Sequence, residues 1–251
     1  MFPGCESIEP SDLRQHHFAT THWSVVLAAS PGNMPHASAA LEHLCRTYWY
    51  PVYAFVRRHG HSPVDAEDST QEFFTRLLQK GSMGSPRPER GKFRWYLLAA
   101  VRHFLANEWD RATAQKRGGG VTIIPWDSVA AEERYAGEPR CESGADRLYD
   151  RTWALTLLAE ARGRLEDEFR RAGKADRFTL LETLLPGGDG HLDQAKAAEQ
   201  LRLTPGGLRS EVHRFKRRFG ELLRTAVAHT VAEPGDIDGE LQYLIEIMST
   251  G

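Results

Sequence analysis

Cysteine is scarce in this chain. Only Cys5, Cys45 and Cys141 occur in 251 residues, an odd number at wide spacing, which excludes both a disulfide framework and a zinc knuckle. Cys45 falls within an apolar helical pattern and reads as a small core residue. Long hydrophobic runs are missing too, and the opening MFPGCESIEP lacks the basic-then-apolar order of a signal peptide, so no membrane association and a cytoplasmic location are expected. Nor is there an excess of charge: 32 basic residues oppose 34 acidic ones, a net −2. A free-standing DNA-binding protein is usually more basic, so any nucleic-acid contact should be local or shared with a second protein. The 11 histidines form no HExxH or comparable spacing, and no glycine-rich phosphate loop or nucleophile elbow occurs. These absences argue against an enzyme, and neither metal nor cofactor is expected. With no heptad seam, the free protein is expected to be a monomer.

What is present is helical periodicity almost throughout. The chain is centred on residues 91–117, GKFRWYLLAAVRHFLANEWDRATAQKR. Phe93, Leu97, Ala100, Val101 and Phe104 recur at helical spacing and supply a seam for burial. Outside that seam lie Arg94, Trp95, Arg102, His103, Asn107 and Arg111. Cations hold phosphates and flat rings stack on bases, so this mixture suits a separated nucleic-acid strand. An amphipathic helix with a solvated basic face fits the same pattern.

Upstream, residues 1–20 have few periodic apolar positions and are expected to be mobile, with Thr20 or Thr21 capping a short helix that carries Trp23, Val26 and Leu27. Ala37, Leu41, Leu44, Cys45 and Tyr48 mark another helix, and Pro51 predicts the start of a further one, ended at His59-Gly60. Ser62-Pro63 then reads as a cap and first-turn proline. The helix it opens should bury Ala66, Phe73, Leu77 and one of Phe74 or Leu78. Asp65, Asp68, Glu72 and Gln79 form an acidic stripe on its other side, either solvated surface or a docking face for a basic partner. Residues 81–91 read as a flexible basic loop.

Beyond the triple glycine at 118–120, weak periodicity predicts a linker over 118–145 containing the apolar patch Val121, Ile123, Ile124 and Trp126. Helical spacing resumes in Leu148, Trp153, Leu155, Leu158 and Leu165, then in Phe178, Leu181, Leu184 and Leu185. Asp193 can cap a short helix to Leu201. After a tight turn Thr204 caps another, in which Leu208, Val212, Phe215, Phe219 and Leu222 make a clean stripe. Its free side carries Arg209, Ser210, His213, Arg214, Lys216 and Arg217, the pattern of a helix-turn-helix reader, though helical hairpins in general share it. A last helix with Leu241, Leu244, Ile245 and Met248 has Asp236, Asp238, Glu240 and Glu246 around it. It either completes the core or covers a DNA-reading face.

Together, DAEDSTQEFFTRLL from Asp65 and FRWYLLAAVRHFLANEWDRATAQKR from Phe93, with THWSVV near the start, AQKRGGG and TVAEP, resemble the extracytoplasmic-function branch of bacterial sigma-70 family RNA polymerase sigma factors, and are most similar to a planctomycete-type subgroup. The resemblance covers about residues 21–248. It implies an all-α protein of two helical domains joined by a flexible linker: a mobile terminus at 1–20, a region 2 bundle at 21–117, a linker at 118–145, a region 4 helix-turn-helix at 146–232 and an extension at 233–251. It further implies that Asp65, Asp68, Gln71 and Glu72 face the β′ clamp helices of core RNA polymerase. Arg90, Lys92, Arg94, Trp95, Arg102, His103, Asn107 and Arg111 would serve the −10 element of promoter DNA, and Arg209, Ser210, His213, Arg214, Lys216 and Arg217 the −35 element. An anti-sigma factor or a regulatory kinase is an expected further partner. The chain departs from the family pattern at Arg202, where a turn glycine is usual, at Lys196 and Ala197, and at Gly206-Gly207. The competing reading is a stand-alone helix-turn-helix regulator independent of polymerase.

Overall fold

The computed structural model describes residues 34–80, 92–112, 128–138, 144–184 and 194–249. They form an all-α protein whose extended pairing, among these residues, is one isolated antiparallel bridge between Lys92 and Val231. The expected mobile amino terminus with its short helix, the loop at 81–91 with Arg90, residues 113–127 with the apolar patch, and Asp193 lie outside the described residues.

Met34–Arg58 is a single helix, α1, with Pro51 inside it rather than at the start of a new one. An internal proline costs about 3 kcal/mol, because it lacks the N–H that would bond the Thr47 carbonyl. Burial outweighs that cost. Leu44, Tyr48, Val52, Phe55 and Val56 are all sealed, and so are Trp49, Tyr53 and Ala54 on other sides of the helix. Left-handed Gly60 (φ +92°) ends the segment. Helix α2, Pro63–Lys80, opens as expected: Ser62 Oγ accepts from the Asp65 amide at 3.2 Å and donates to Asp65 Oδ2 at 2.6 Å. Its buried side is Ala66, Thr70, Phe73, Phe74 and Leu77. Helix α3, Phe93–Ala112, buries Phe93, Leu97, Val101 and Phe104, the expected seam.

The stretch expected to be a linker contains helix α4, Ser128–Ala136. Glu132 holds it against α1, accepting from Arg57 Nη2 at 2.7 Å, Arg57 Nε at 3.0 Å and the Tyr53 hydroxyl at 2.5 Å, while Ala131 is buried. Arg57 lowers the Glu132 pKa below its ordinary value. Short, paired through side chains and apolar at few positions, this helix leaves little periodicity for sequence reading to find.

Helix α5, Ala145–Arg171, is followed by α6, Ala175–Thr183, α7, Gln194–Gln200, and α8, Pro205–Ala228. A 3₁₀ turn at Pro234–Asp236 leads to α9, Ile237–Ser249. Two hydrophobic cores result. One gathers α1 to α4, Leu148 to Leu157 of α5, Ala226 and Val227 of α8, Val231, and Ile237 and Leu244 of α9. The other joins Ala161 and Leu165 of α5 to Phe178, Leu181, Ala197, Ala198, Leu208, Phe215 and Leu222. Helices α5 and α8 thus run antiparallel, each with one end in either core. The expected boundary near residue 146 therefore does not separate two cores, because the first half of α5 packs with α1.

Candidate nucleic-acid interface

On α2, Asp65 and Asp68 are exposed, and Asp68 has no ion pair among the described residues. Glu72 is about 40% exposed and paired with Arg76, which also reaches Glu108 Oε1 at 2.9 Å and lies 5.1 Å from the centre of the Phe104 ring. Gln71 does not project as expected, since its amide nitrogen is buried with no hydrogen-bond partner. The docking set that the resemblance implies is therefore narrowed to Asp65, Asp68 and part of Glu72, and the side chain of Gln79, the last member of the sequence stripe, lies outside the described set.

On α3 the expected set divides. Trp95 is 52% exposed. Arg102, His103 and Asn107 are exposed as well, with Asn107 Nδ2 2.8 Å from His103 Nδ1 and Arg102 ion-paired to Asp146 at the start of α5. Arg111 lies in α3, but its side chain is outside the described set. Arg94 does not stand open to a strand in this structure as expected, being 1% exposed. Its Nε lies 2.5 Å from Glu240 Oε1 and its Nη1 2.8 Å from Asp150 Oδ1, and its guanidinium sits 4.0 Å from the centre of the Tyr243 ring. Lys92 is half-buried and places Nζ 2.6 Å from Glu240 Oε2.

Burial alone would pull the Arg94 pKa down. The Glu240 hydrogen bonds and the charges of Glu240 and Asp150 outweigh it and hold the guanidinium above its ordinary value. Asp150 is pushed up by burial, against the hydrogen bond from Tyr243 and the charge of Arg94. The Tyr243 hydroxyl donates to Asp150 Oδ2 at 2.7 Å and is itself pushed up to about 12, first by burial and then by that carboxylate. Sequence reading placed Glu240 on the outside of α9. Its spacing carried the opposite message: Ile237, Glu240 and Leu244 stand at i, i+3 and i+7, so a carboxylate on the buried stripe called for a buried cation.

The third surface, on α8, stands open. Arg209, Ser210, His213, Arg214, Lys216 and Arg217 are all exposed. Arg214 pairs with Glu211, Arg217 lies 3.6 Å from Glu221, and Ser210 Oγ bonds the Gly206 carbonyl at 3.1 Å. Arg209, His213 and Lys216 have no ion pair among the described residues. Thr204 caps α8, its hydroxyl accepting from the Gly207 amide at 3.1 Å. Before it, α7 closes with the Leu203 amide on the Ala198 carbonyl at 2.8 Å and the Arg202 amide on the Glu199 carbonyl at 3.0 Å. This is a Schellman end, which puts its next-to-last residue in the left-handed region. Here that residue is Arg202, with φ +53°. The turn glycine missing from the sequence is thus missing where the backbone calls for one.

Three kinds of surface result: a carboxylate face on α2, a ring-and-cation face on α3 whose first two cations are occupied, and an open cationic face on α8. Among the described residues no group of His, Cys, Asp or Glu is arranged to hold a metal, and no helix is long and apolar enough to cross a membrane. Residues 44–115, which contain α2, α3 and most of α1, match the family model described as Sigma-70 region 2. Neither the curated proteins nor the solved structures yielded a match. The family match supports a sigma-70 type role in RNA polymerase binding and promoter melting for this part of the chain.

Proposed function

We propose that the chain is a sigma factor of the extracytoplasmic-function type, docking on core RNA polymerase and directing promoter recognition and melting. The observation that carries the reading is the region 2 match over residues 44–115, in a segment with exposed Asp68 on α2 and exposed Trp95, Arg102, His103 and Asn107 on α3. Asp65, Asp68 and Glu72 then meet basic groups of the β′ clamp helices, where opposite charge sets encounter rate and register. Trp95 offers a stacking platform for an unpaired base, and the cations of α3 neutralise the phosphates of the opened strand.

Helix α8 is assigned the −35 element. A capped helix with an exposed Arg209, His213 and Lys216 face, preceded by the short α7 and a tight turn, is the arrangement that enters a major groove. Arg209 and His213 lie near its start, where base edges are within reach, and Lys216 and Arg217 lie further along, toward phosphates.

Co-purification with core RNA polymerase, followed by run-off transcription from the bound promoters, tests the proposal. Asp68→Arg combined with Glu72→Arg is expected to weaken polymerase binding at least tenfold while leaving the helical circular dichroism intact, because both side chains reach solvent. Undiminished binding by that variant removes the docking assignment. Tight duplex binding by the protein alone, with a two-fold footprint and no polymerase, would favour a stand-alone regulator.

A further inference from the structure

We infer that α9 is a latch that occupies, with the Glu240 carboxylate, the position on α3 where a nucleic-acid phosphate would bind, so that strand engagement requires α9 to leave. The inference rests on the reading of α3 as the strand-holding helix. Glu240 accepts from two cations at once, Lys92 Nζ at 2.6 Å and Arg94 Nε at 2.5 Å. Two converging cations on one pair of anionic oxygens is the arrangement a phosphodiester would receive. The same cations flank the exposed Trp95 ring, with Lys92 Nζ 4.9 Å and Arg94 Cζ 5.0 Å from its centre. A base stacked on Trp95 would bring its phosphate to the place that Glu240 now fills.

The attachment of α9 is of a kind that polyanions compete with. Of its 13 residues only Ile237, Glu240 and Leu244 are fully buried. Leu241, Tyr243, Ile247 and Met248 pack partly buried against the first core, and the rest of its hold is polar: the Tyr243 hydroxyl on Asp150, the exposed Arg224–Asp238 pair, and the Arg94 guanidinium over the Tyr243 ring. A short pairing ties α3 to the segment before α9, through the Lys92–Val231 bridge and the Phe93 amide on the Thr230 carbonyl at 3.1 Å. The latch thus occupies the cations at the start of the strand-holding helix, not the open face of α8, and leaves α2 uncovered for docking.

The test measures binding of a short, fluorescein-labelled, mixed-sequence single strand to the full chain by anisotropy across a salt series. Glu240→Gln is expected to raise affinity roughly tenfold at low salt and to steepen the log–log salt slope by about 1.4, the share of two additional phosphate contacts. Adding Lys92→Ala should remove about half of the extra slope. Unchanged affinity and slope in a folded Glu240→Gln protein overturn the latch. Because Glu240 is buried, Asp238→Asn serves as a second variant: it opens the exposed Arg224 pair and is expected to give about a twofold gain. No gain there also overturns the latch. If polymerase fails to co-purify with wild type and variants alike, the sigma reading fails. If it co-purifies and transcribes while neither variant binds the strand better, the latch alone fails.

Discussion

The start of α3 and the outer face of α8 carry similar side chains in opposite circumstances. At α3, Lys92 and Arg94 converge on Glu240, and Arg94 also reaches Asp150 inside the first core. At α8, Arg209, His213 and Lys216 stand in solvent. A cation on an amphipathic helix is not by that fact a surface cation. What decides is whether a carboxylate arrives from elsewhere in the chain to make burial tolerable, since an unpaired buried charge is prohibitive. For Arg94 the carboxylates come from 56 and 146 residues away. On the first three turns of α8 the carboxylate within reach is Glu211, on the same helix, and it engages Arg214 while the neighbouring cations remain open.

The largest expected effect breaks the buried side of this contrast. Arg94→Ala leaves Glu240 with Lys92 as its remaining cation and Asp150 with no ion pair among the described residues, and should cost about 3–5 kcal/mol in urea unfolding. Arg209→Ala, in solvent, should stay within about 0.5 kcal/mol by the same measurement. Equal costs would mean that the two surfaces do not differ as described. Next in size, the open side should already act on DNA in the wild-type chain. Arg209→Ala is expected to lose about 1–3 kcal/mol of discrimination at one base pair of the −35 element, read from binding to a panel of single-base variants. Lys216→Ala should instead weaken all sequences alike and reduce the salt slope by about 1. Smallest, Arg202→Gly should stabilise the protein by about 1 kcal/mol in thermal unfolding, because the left-handed position at the end of α7 penalises any residue with a Cβ. Gly173 already fills the corresponding place at the end of α5, where the Lys174 amide bonds the Phe169 carbonyl at 2.8 Å.

Local chemistry made much of this fold legible in the sequence. Ser62 and Thr204 announced their helices because a cap acts on amides two or three residues away, and the seams of α3 and α8 showed because burial repeats with the helical turn. The exposed Trp95, Arg102, His103 and Asn107 followed from the same periodicity. Features that depend on distant residues were illegible. Pro51 reads as a helix start unless it is known that α1 is buried on all sides from Thr47 to Val56, and α4 is fixed by Arg57 and Tyr53 from about 75 residues earlier. Gln71 joined the docking set through the family resemblance and not through its spacing, and its amide nitrogen turns inward. The first core draws on both ends of the described chain, so spacing could count its elements but not say which of them would meet.

That last circumstance bears on how the protein is born. Ribosomes release α1 to α3 first, yet Val227, Ile237 and Leu244, which share the first core with them, are translated more than 100 residues later. At about 5–20 residues per second, the part of this core that the ends of α8 and α9 fill stays open for roughly ten seconds after α3 emerges.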